Sequence, residues 1–312
     1  MARRLPSAFP FAAGLVATVL LCASGWAQER FRNPSALDVV LWLPETQPDA
    51  RIRYAGDSAL QFGDLRLPAA EPPQEGFPVA IFIHGGNWTS DWTKDYSSRF
   101  VEALTNEGMA TWDLEFRRVG NWGGGYPGTF LDVAMGADHL RELAKTYRLD
   151  LERVVAVGHS SGGHLALWLA ARKNLPASSR LHTPDPLPIA GVVSLAGTND
   201  LELSLELGDR APILPLVGAR TKEEAGSRFA ETNPAELLPL GVPQVLIVGA
   251  GDSEWRVSMI RQYARAAEEA GDTVTLAVAE GANHFDVVDP DGPGFPPIAA
   301  AVLSLAGGPS DR

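Results

Sequence analysis

The stretch VVAVGHSSGGHLALWLAAR, residues 154–172, sets two serines and two histidines between an apolar run and a helix-like pattern. Within it, Gly158-His159-Ser160-Ser161-Gly162 fits a Gly-x-Ser-x-Gly frame centred on Ser160; centring on Ser161 puts His159 where the first glycine belongs. Such a frame suits a sharp strand-to-helix turn, in which small flanking residues let a serine adopt a strained conformation with its hydroxyl exposed. The N-terminal N–H groups of the following helix then face any negative charge that develops there. A hydroxyl is a weak nucleophile at neutral pH, so this chemistry also requires a base and a carboxylate to orient the base.

Of the six histidines, His284 in EGANHFDVVD is the expected base, because it follows the last apolar run, TVTLAVAEG, in a polar loop. His159 adjoins the serine inside the tight turn and His164 lies one turn into the helix behind it, so both are read as packing or hydrogen-bonding residues. The expected carboxylate is Asp252 in LIVGAGDSEW, with Asp200 in LAGTNDL as its rival and Glu254 as a weaker one. Asp286 and Asp289 follow His284 and would break the order Ser, Asp, His that accompanies this kind of serine turn. Upstream, His84-Gly85-Gly86-Asn87-Trp88 ends another apolar run. A glycine turn there can offer backbone N–H groups which, with the N–H of Ser161, would bind a tetrahedral oxyanion at about 3 kcal/mol per donor.

These residues need a scaffold that brings several strand ends together. PVAIFIHGG, GMATWDLEF, RVVAVGH, IAGVVSLAG and PQVLIVGAG are short, nearly continuous apolar runs, which suit strands buried on both faces of a parallel sheet. Between and after them lie YSSRFVEALTNEG, FLDVAMGADHLRELAKTY, GGHLALWLAARK, SMIRQYARAAEEAG and IAAAVLSLA, all with helical spacing. The alternation predicts a doubly wound α/β sheet with right-handed crossovers. ALQFGDLRLPA reads as an edge strand pair, and ALDVVLWLP as a short strand or helix packed on the body. Residues 201–241 are longer than a plain connection and are expected to form a small cap of short helices at the ligand crevice. Gly123–Gly125 lack the Lys-Ser/Thr of a phosphate loop and are expected to form a flexible loop near the pocket mouth.

The formal net charge of −12 argues against nucleic acid or an anionic membrane surface as partner. Residues 1–27 read as a signal peptide: Arg3 and Arg4, the apolar core FAAGLVATVLLCA, and Gly25 and Ala27 before a cut. A twin-arginine signal and a lipid anchor on Cys22 fit less well, because Leu-Pro-Ser follows the arginines and Leu21 precedes the cysteine. Cleavage would remove two of 26 basic residues and no acidic one, leaving 24 against 38 and a formal charge of −14. Cys22 is the only cysteine, so the mature chain, 28–312, would be a single secreted or periplasmic domain with neither disulfide nor thiol nucleophile. No metal-ligand spacing occurs, and neither a metal nor another cofactor is expected.

The order HGGNW, GHSSGG, GAGDSEW and NHFDVVD resembles the α/β-hydrolase superfamily, within it the esterase, lipase and kynurenine formamidase-like branch, over about residues 60–305. The resemblance implies Ser160 as nucleophile, Asp252 as acid, His284 as base, and Gly86, Asn87 and Ser161 as oxyanion donors. It implies hydrolysis of a small-molecule carboxylic ester through an acyl-enzyme, with the formamide of an arylformamidase as the alternative substrate. A non-catalytic binding protein on the same fold is the third reading. Trp88, Trp122, Tyr126 and Trp255 lie close in sequence to these pieces and are expected either to line an aromatic substrate pocket or to pack in the core.

Overall fold

A computed structural model describes residue 41, residues 44–209 and residues 211–307. The expected signal peptide and most of ALDVVLWLP lie outside these residues. Eight strands form one sheet: β1 (Ala50–Arg53), β2 (Phe62–Arg66), β3 (Phe77–Ile83), β4 (Ala110–Glu115), β5 (Leu149–His159), β6 (Gly191–Leu195), β7 (Gln244–Gly249) and β8 (Val274–Ala279). Their spatial order is β1-β2-β4-β3-β5-β6-β7-β8. The β1–β2 and β2–β4 pairs are antiparallel, and every pair from β4–β3 to β7–β8 is parallel.

The longer helices are α1 (Ser98–Asn106), α2 (Gly128–Asp138), α3 (Ser161–Ala171), α4 (Leu201–Leu207), α5 (Glu254–Glu269) and α6 (Phe295–Leu305). The apolar runs are continuous because alternate residues enter two different cores. Val79, Ile81, Ile83, Val154 and Ala156 pack with α2, α3 and α5, whereas Ala80, Phe82, Val155 and Val157 pack with α1 and α6. All eleven residues of α3 are buried, making it the central helix on its face of the sheet. This is the doubly wound α/β-hydrolase fold. The chain leaves β3 for β4 on one side and returns to β5 on the other, which opens a crevice at the carboxyl ends of β3 and β5.

The segment ALQFGDLRLPA does not fold back on itself. It supplies β2 alone, and the partner strand is β1, upstream. The reversal between them, residues 54–61, overlaps the start of the segment, and there Gln61 Oε1 accepts the N–H groups of Asp57 and Ser58 at 2.8 and 2.9 Å. β1 is therefore the edge, and β2 is enclosed between β1 and β4.

Residues 201–241 fold into α4 and short helical turns at Ile213–Leu216, Lys222–Ala225, Phe229–Thr232 and Pro234–Leu237. This segment docks on α3: Trp168 Nε1 donates to the carbonyl of Glu231 at 2.8 Å, and His164 Nε2 to that of Thr232 at 2.8 Å. The glycine-rich loop is tied down by Gly125 N–H on Thr129 Oγ1 at 2.9 Å and Thr129 Oγ1–H on the Arg117 carbonyl at 2.7 Å.

Candidate active site

Four strand ends converge on the crevice: β3 leads into the glycine turn, β5 into Ser160, β7 into Asp252 and β8 into His284. Ser160 sits at φ 55°, ψ −122°, a conformation costly for a residue with a Cβ. Surrounding hydrogen bonds hold it there. Its N–H donates to Leu195 O at 2.8 Å, and its carbonyl accepts Gly163 N–H at 2.9 Å and Thr198 N–H at 3.3 Å. The second glycine of the frame is a packing requirement, since a Cβ on Gly162 would fall on the carbonyls of Ile83 and His84. The N–H of Ser161, first residue of α3, has no acceptor within the helix.

Ser160 Oγ lies 3.1 Å from His284 Nε2, and His284 Nδ1 lies 2.7 Å from Asp252 Oδ2. The other Asp252 oxygen accepts the Ser253 N–H at 2.6 Å and faces Arg256 Nε at 3.5 Å. Burial alone would raise the Asp252 carboxyl, but the hydrogen bond from His284 and the neighbouring His284 and Arg256 charges outweigh it and hold it below the ordinary range. Arg256 also donates through Nη1 to Ala196 O at 2.9 Å and Thr198 Oγ1 at 3.1 Å, joining the Asp252 loop to the turn that supports Ser160. Asp200 is occupied elsewhere: its Oδ1 accepts the N–H groups of Glu202 and Leu203 at the start of α4, each at 3.1 Å. Glu254 opens α5 as an exposed residue.

The glycine turn has three consecutive left-handed residues, Gly86 (φ 115°), Asn87 (φ 54°) and Trp88 (φ 57°). It is braced by Thr89 N–H on Gly86 O at 3.0 Å, Gly85 N–H on Tyr96 Oη at 2.7 Å and Trp88 N–H on Ser161 Oγ at 3.3 Å. Ser161 thus contributes a bracing hydroxyl as well as a backbone N–H. No acceptor among the described residues engages the N–H of Gly86, Asn87 or Ser161. Below the turn, buried His84 accepts from Arg118 Nη1 at 2.9 Å, and the same Arg118 nitrogen donates to Glu115.

The four aromatic residues expected at the pocket have different surroundings. Trp88 packs in the core, 1% exposed, with its indole N–H on His164 Nδ1 at 3.2 Å. That placement is the packing alternative for Trp88. Trp122 is 86% exposed. Tyr126 donates its hydroxyl to Glu231 at 2.9 Å with Arg228 over its ring, linking the glycine-rich loop to the 201–241 segment. The half-buried Trp255 stacks under the Arg256 guanidinium at 4.4 Å. The rings that pair with His284 are His159 at 4.8 Å and Phe285 at 5.3 Å, with Trp92 stacked on Phe285 at 6.2 Å. Phe285 lies within the NHFDVVD motif, whereas Arg256, Trp92 and Tyr96 were not singled out by sequence reasoning. Among the described residues, no three His, Cys, Asp or Glu side chains converge as a metal ion requires. None of the described helices is long and apolar enough to cross a membrane.

The family model described as BD-FAE matches residues 64–259, a span that includes Ser160 and Asp252. A non-reducing polyketide synthase, prhL of Penicillium brasilianum, is 29% identical over 52% of this chain, and the chain spans 7% of that protein's length. NocK of Nocardia uniformis subsp. tsuyamanensis, named as a candidate esterase, is 26% identical over 78% of this chain and 72% of its own. An inhibited esterase B from Lactobacillus rhamnosis shares the fold at a TM-score of 0.72 and 20% identity, covering 93% of this chain and 96% of its own.

Proposed function

The chain belongs to the BD-FAE family, and from that membership and the geometry of its crevice we propose that it is a serine hydrolase of small carboxylic esters. The observation that carries this reading is the unbroken contact from Asp252 through His284 to Ser160, at 2.7 and 3.1 Å, beside N–H groups with no acceptor among the described residues. Ser160 Oγ attacks the ester carbonyl carbon as His284 Nε2 takes its proton, and the anionic oxygen rests on the N–H groups of Gly86, Asn87 and Ser161. Asp252 fixes Nδ1–H and stabilises the imidazolium. His284 returns the proton to the departing alcohol, leaving an acyl ester on Ser160. Water, deprotonated by His284, then attacks that ester and releases the acid.

In this reading residues 28–312 form one domain, with 201–241 as a small cap over the crevice. Residues 1–27 direct export and are cleaved near Ala27, so the enzyme works in the periplasm or outside the cell, on small molecules and not on nucleic acid. A protein purified from its natural export route should have a mass that starts at Gln28. Retention of residues 1–27 would contradict the export assignment.

The activity test compares wild type and Ser160→Ala on p-nitrophenyl esters of increasing acyl length and on N-formylkynurenine. Wild type should hydrolyse the short esters, and the variant should lose at least about 10⁴-fold in kcat. Preference for N-formylkynurenine would assign a formamidase. No turnover of either substrate class would contradict the hydrolase reading.

A further inference from the structure

Between the glycine turn and the His284 loop, about 200 residues apart in sequence, runs a single line of hydrogen bonds. Gly85 N–H donates to Tyr96 Oη at 2.7 Å, Tyr96 Oη lies 2.8 Å from His159 Nδ1, and His159 Nε2 lies 2.9 Å from the carbonyl of His284. Chemistry fixes the proton positions. A carbonyl only accepts, so His159 Nε2 carries a proton; the phenol then donates to Nδ1 and keeps its oxygen for Gly85. With His159 neutral, every group in the line is used once. Burial holds the His159 imidazole well below its ordinary range, and the adjacent His284 and Arg256 charges act in the same direction; its hydrogen bond to the His284 carbonyl and Asp252 oppose them.

We propose that Tyr96 and His159 are positioning residues that lock the oxyanion turn to the loop of the catalytic base, setting both around Ser160 as one unit. The proposal rests on the serine-hydrolase reading for its catalytic consequence, but the mechanical link stands on the geometry itself. Both ends of the line adjoin groups whose placement matters. Gly85 precedes the Gly86 and Asn87 donors, and the His284 carbonyl belongs to the residue that carries the base. Aromatic packing runs alongside: Trp92 meets Tyr96 edge-on at 5.8 Å and stacks on Phe285, whose ring also lies 5.6 Å from His159. A Cβ on Gly86 would strike Trp92, so the same aromatic group also supports the turn from outside. Misplacing either loop by about 1 Å would cost catalysis without removing a reacting group.

The test is Tyr96→Phe in the full-length protein, which keeps the ring packing and deletes only the hydroxyl. Hydrogen exchange read by mass spectrometry should speed up in peptides covering both 84–90 and 282–288, while protection elsewhere stays unchanged and Tm falls by only a few degrees. Ester turnover should show kcat reduced about 10- to 100-fold with KM within about twofold. His159→Gln, which can still donate to the His284 carbonyl, should retain more kcat than His159→Leu. Faster exchange in only one loop, or in neither, overturns the proposal, as does coupled exchange with unchanged kcat. The exchange measurement needs no turnover, so an inactive wild type would sink the hydrolase reading while the link between the loops is still decided.

Discussion

Asp252 and Asp200 both follow strands and both lie between Ser160 and His284, yet their hydrogen bonds separate them. Asp252 holds His284 Nδ1 at 2.7 Å, whereas Asp200 serves as the N-cap of α4. Replacing Asp252 by Asn removes the charge that orients and stabilises the imidazolium, so kcat should fall by about 10⁴-fold with the fold intact. Asp200→Asn should leave kcat within about twofold and lower stability by no more than about 1 kcal/mol, measured by urea denaturation. The reverse ranking in steady-state kinetics would move the acid to Asp200. That Ser160 meets His284, and none of the nearer histidines, was legible in the sequence because it follows from frame and chain order. Arg256 was not, because its hydrogen bonds reach Ala196 and Thr198 across about 60 residues and leave no spacing to read. His159 was legible as a hydrogen-bonding residue, but its partners, Tyr96 and the His284 carbonyl, were not.

At the scale of elements, the site depends on how closely α3 can approach β3. Gly162 permits that contact, since any Cβ there would overlap the carbonyls of Ile83 and His84. Gly162→Ala should therefore destabilise by about 3 kcal/mol and push the serine turn away from the glycine turn. The check is a urea midpoint alongside kcat; a variant with wild-type stability and activity would contradict this account of the frame. The strand runs and helical spacings revealed the sheet and its covering helices because burial on two faces leaves a strong compositional trace. The β1–β2 pairing was missed because the turn residues Gly56, Asp57 and Ser58 lie ahead of the segment read as the pair, and the Gln61 side-chain hydrogen bonds that close the turn leave no spacing to read. Trp88 shows the same limit in another form, since proximity to HGG along the chain says nothing about which way its ring points.

Across the whole molecule, two imidazoles buried without charge make stability depend on pH. His164 accepts from Trp88 and donates to the Thr232 carbonyl, and burial holds it down to about 4; His159 is also held well below its ordinary range. In the unfolded chain each titrates near 6.5, so between that value and the folded one the unfolded state binds protons that the native state does not. Stability is then complete above about pH 6.5 and declines as pH falls towards 4, with His164 alone accounting for about 2 kcal/mol by pH 5. Urea midpoints at pH 7.5 and pH 5 check this; equal midpoints would contradict neutral burial. The fold and the crevice at the β3–β5 switch set Ser160 beside His284, where we propose that it is the nucleophile of an ester hydrolase. The most direct measurement treats the protein with a p-nitrophenyl phosphonate and maps the adduct by mass spectrometry. The account predicts about one p-nitrophenolate released per chain, the phosphonyl group on Ser160, and no labelling of Ser160→Ala; labelling at another residue, or none in the wild type, would contradict it.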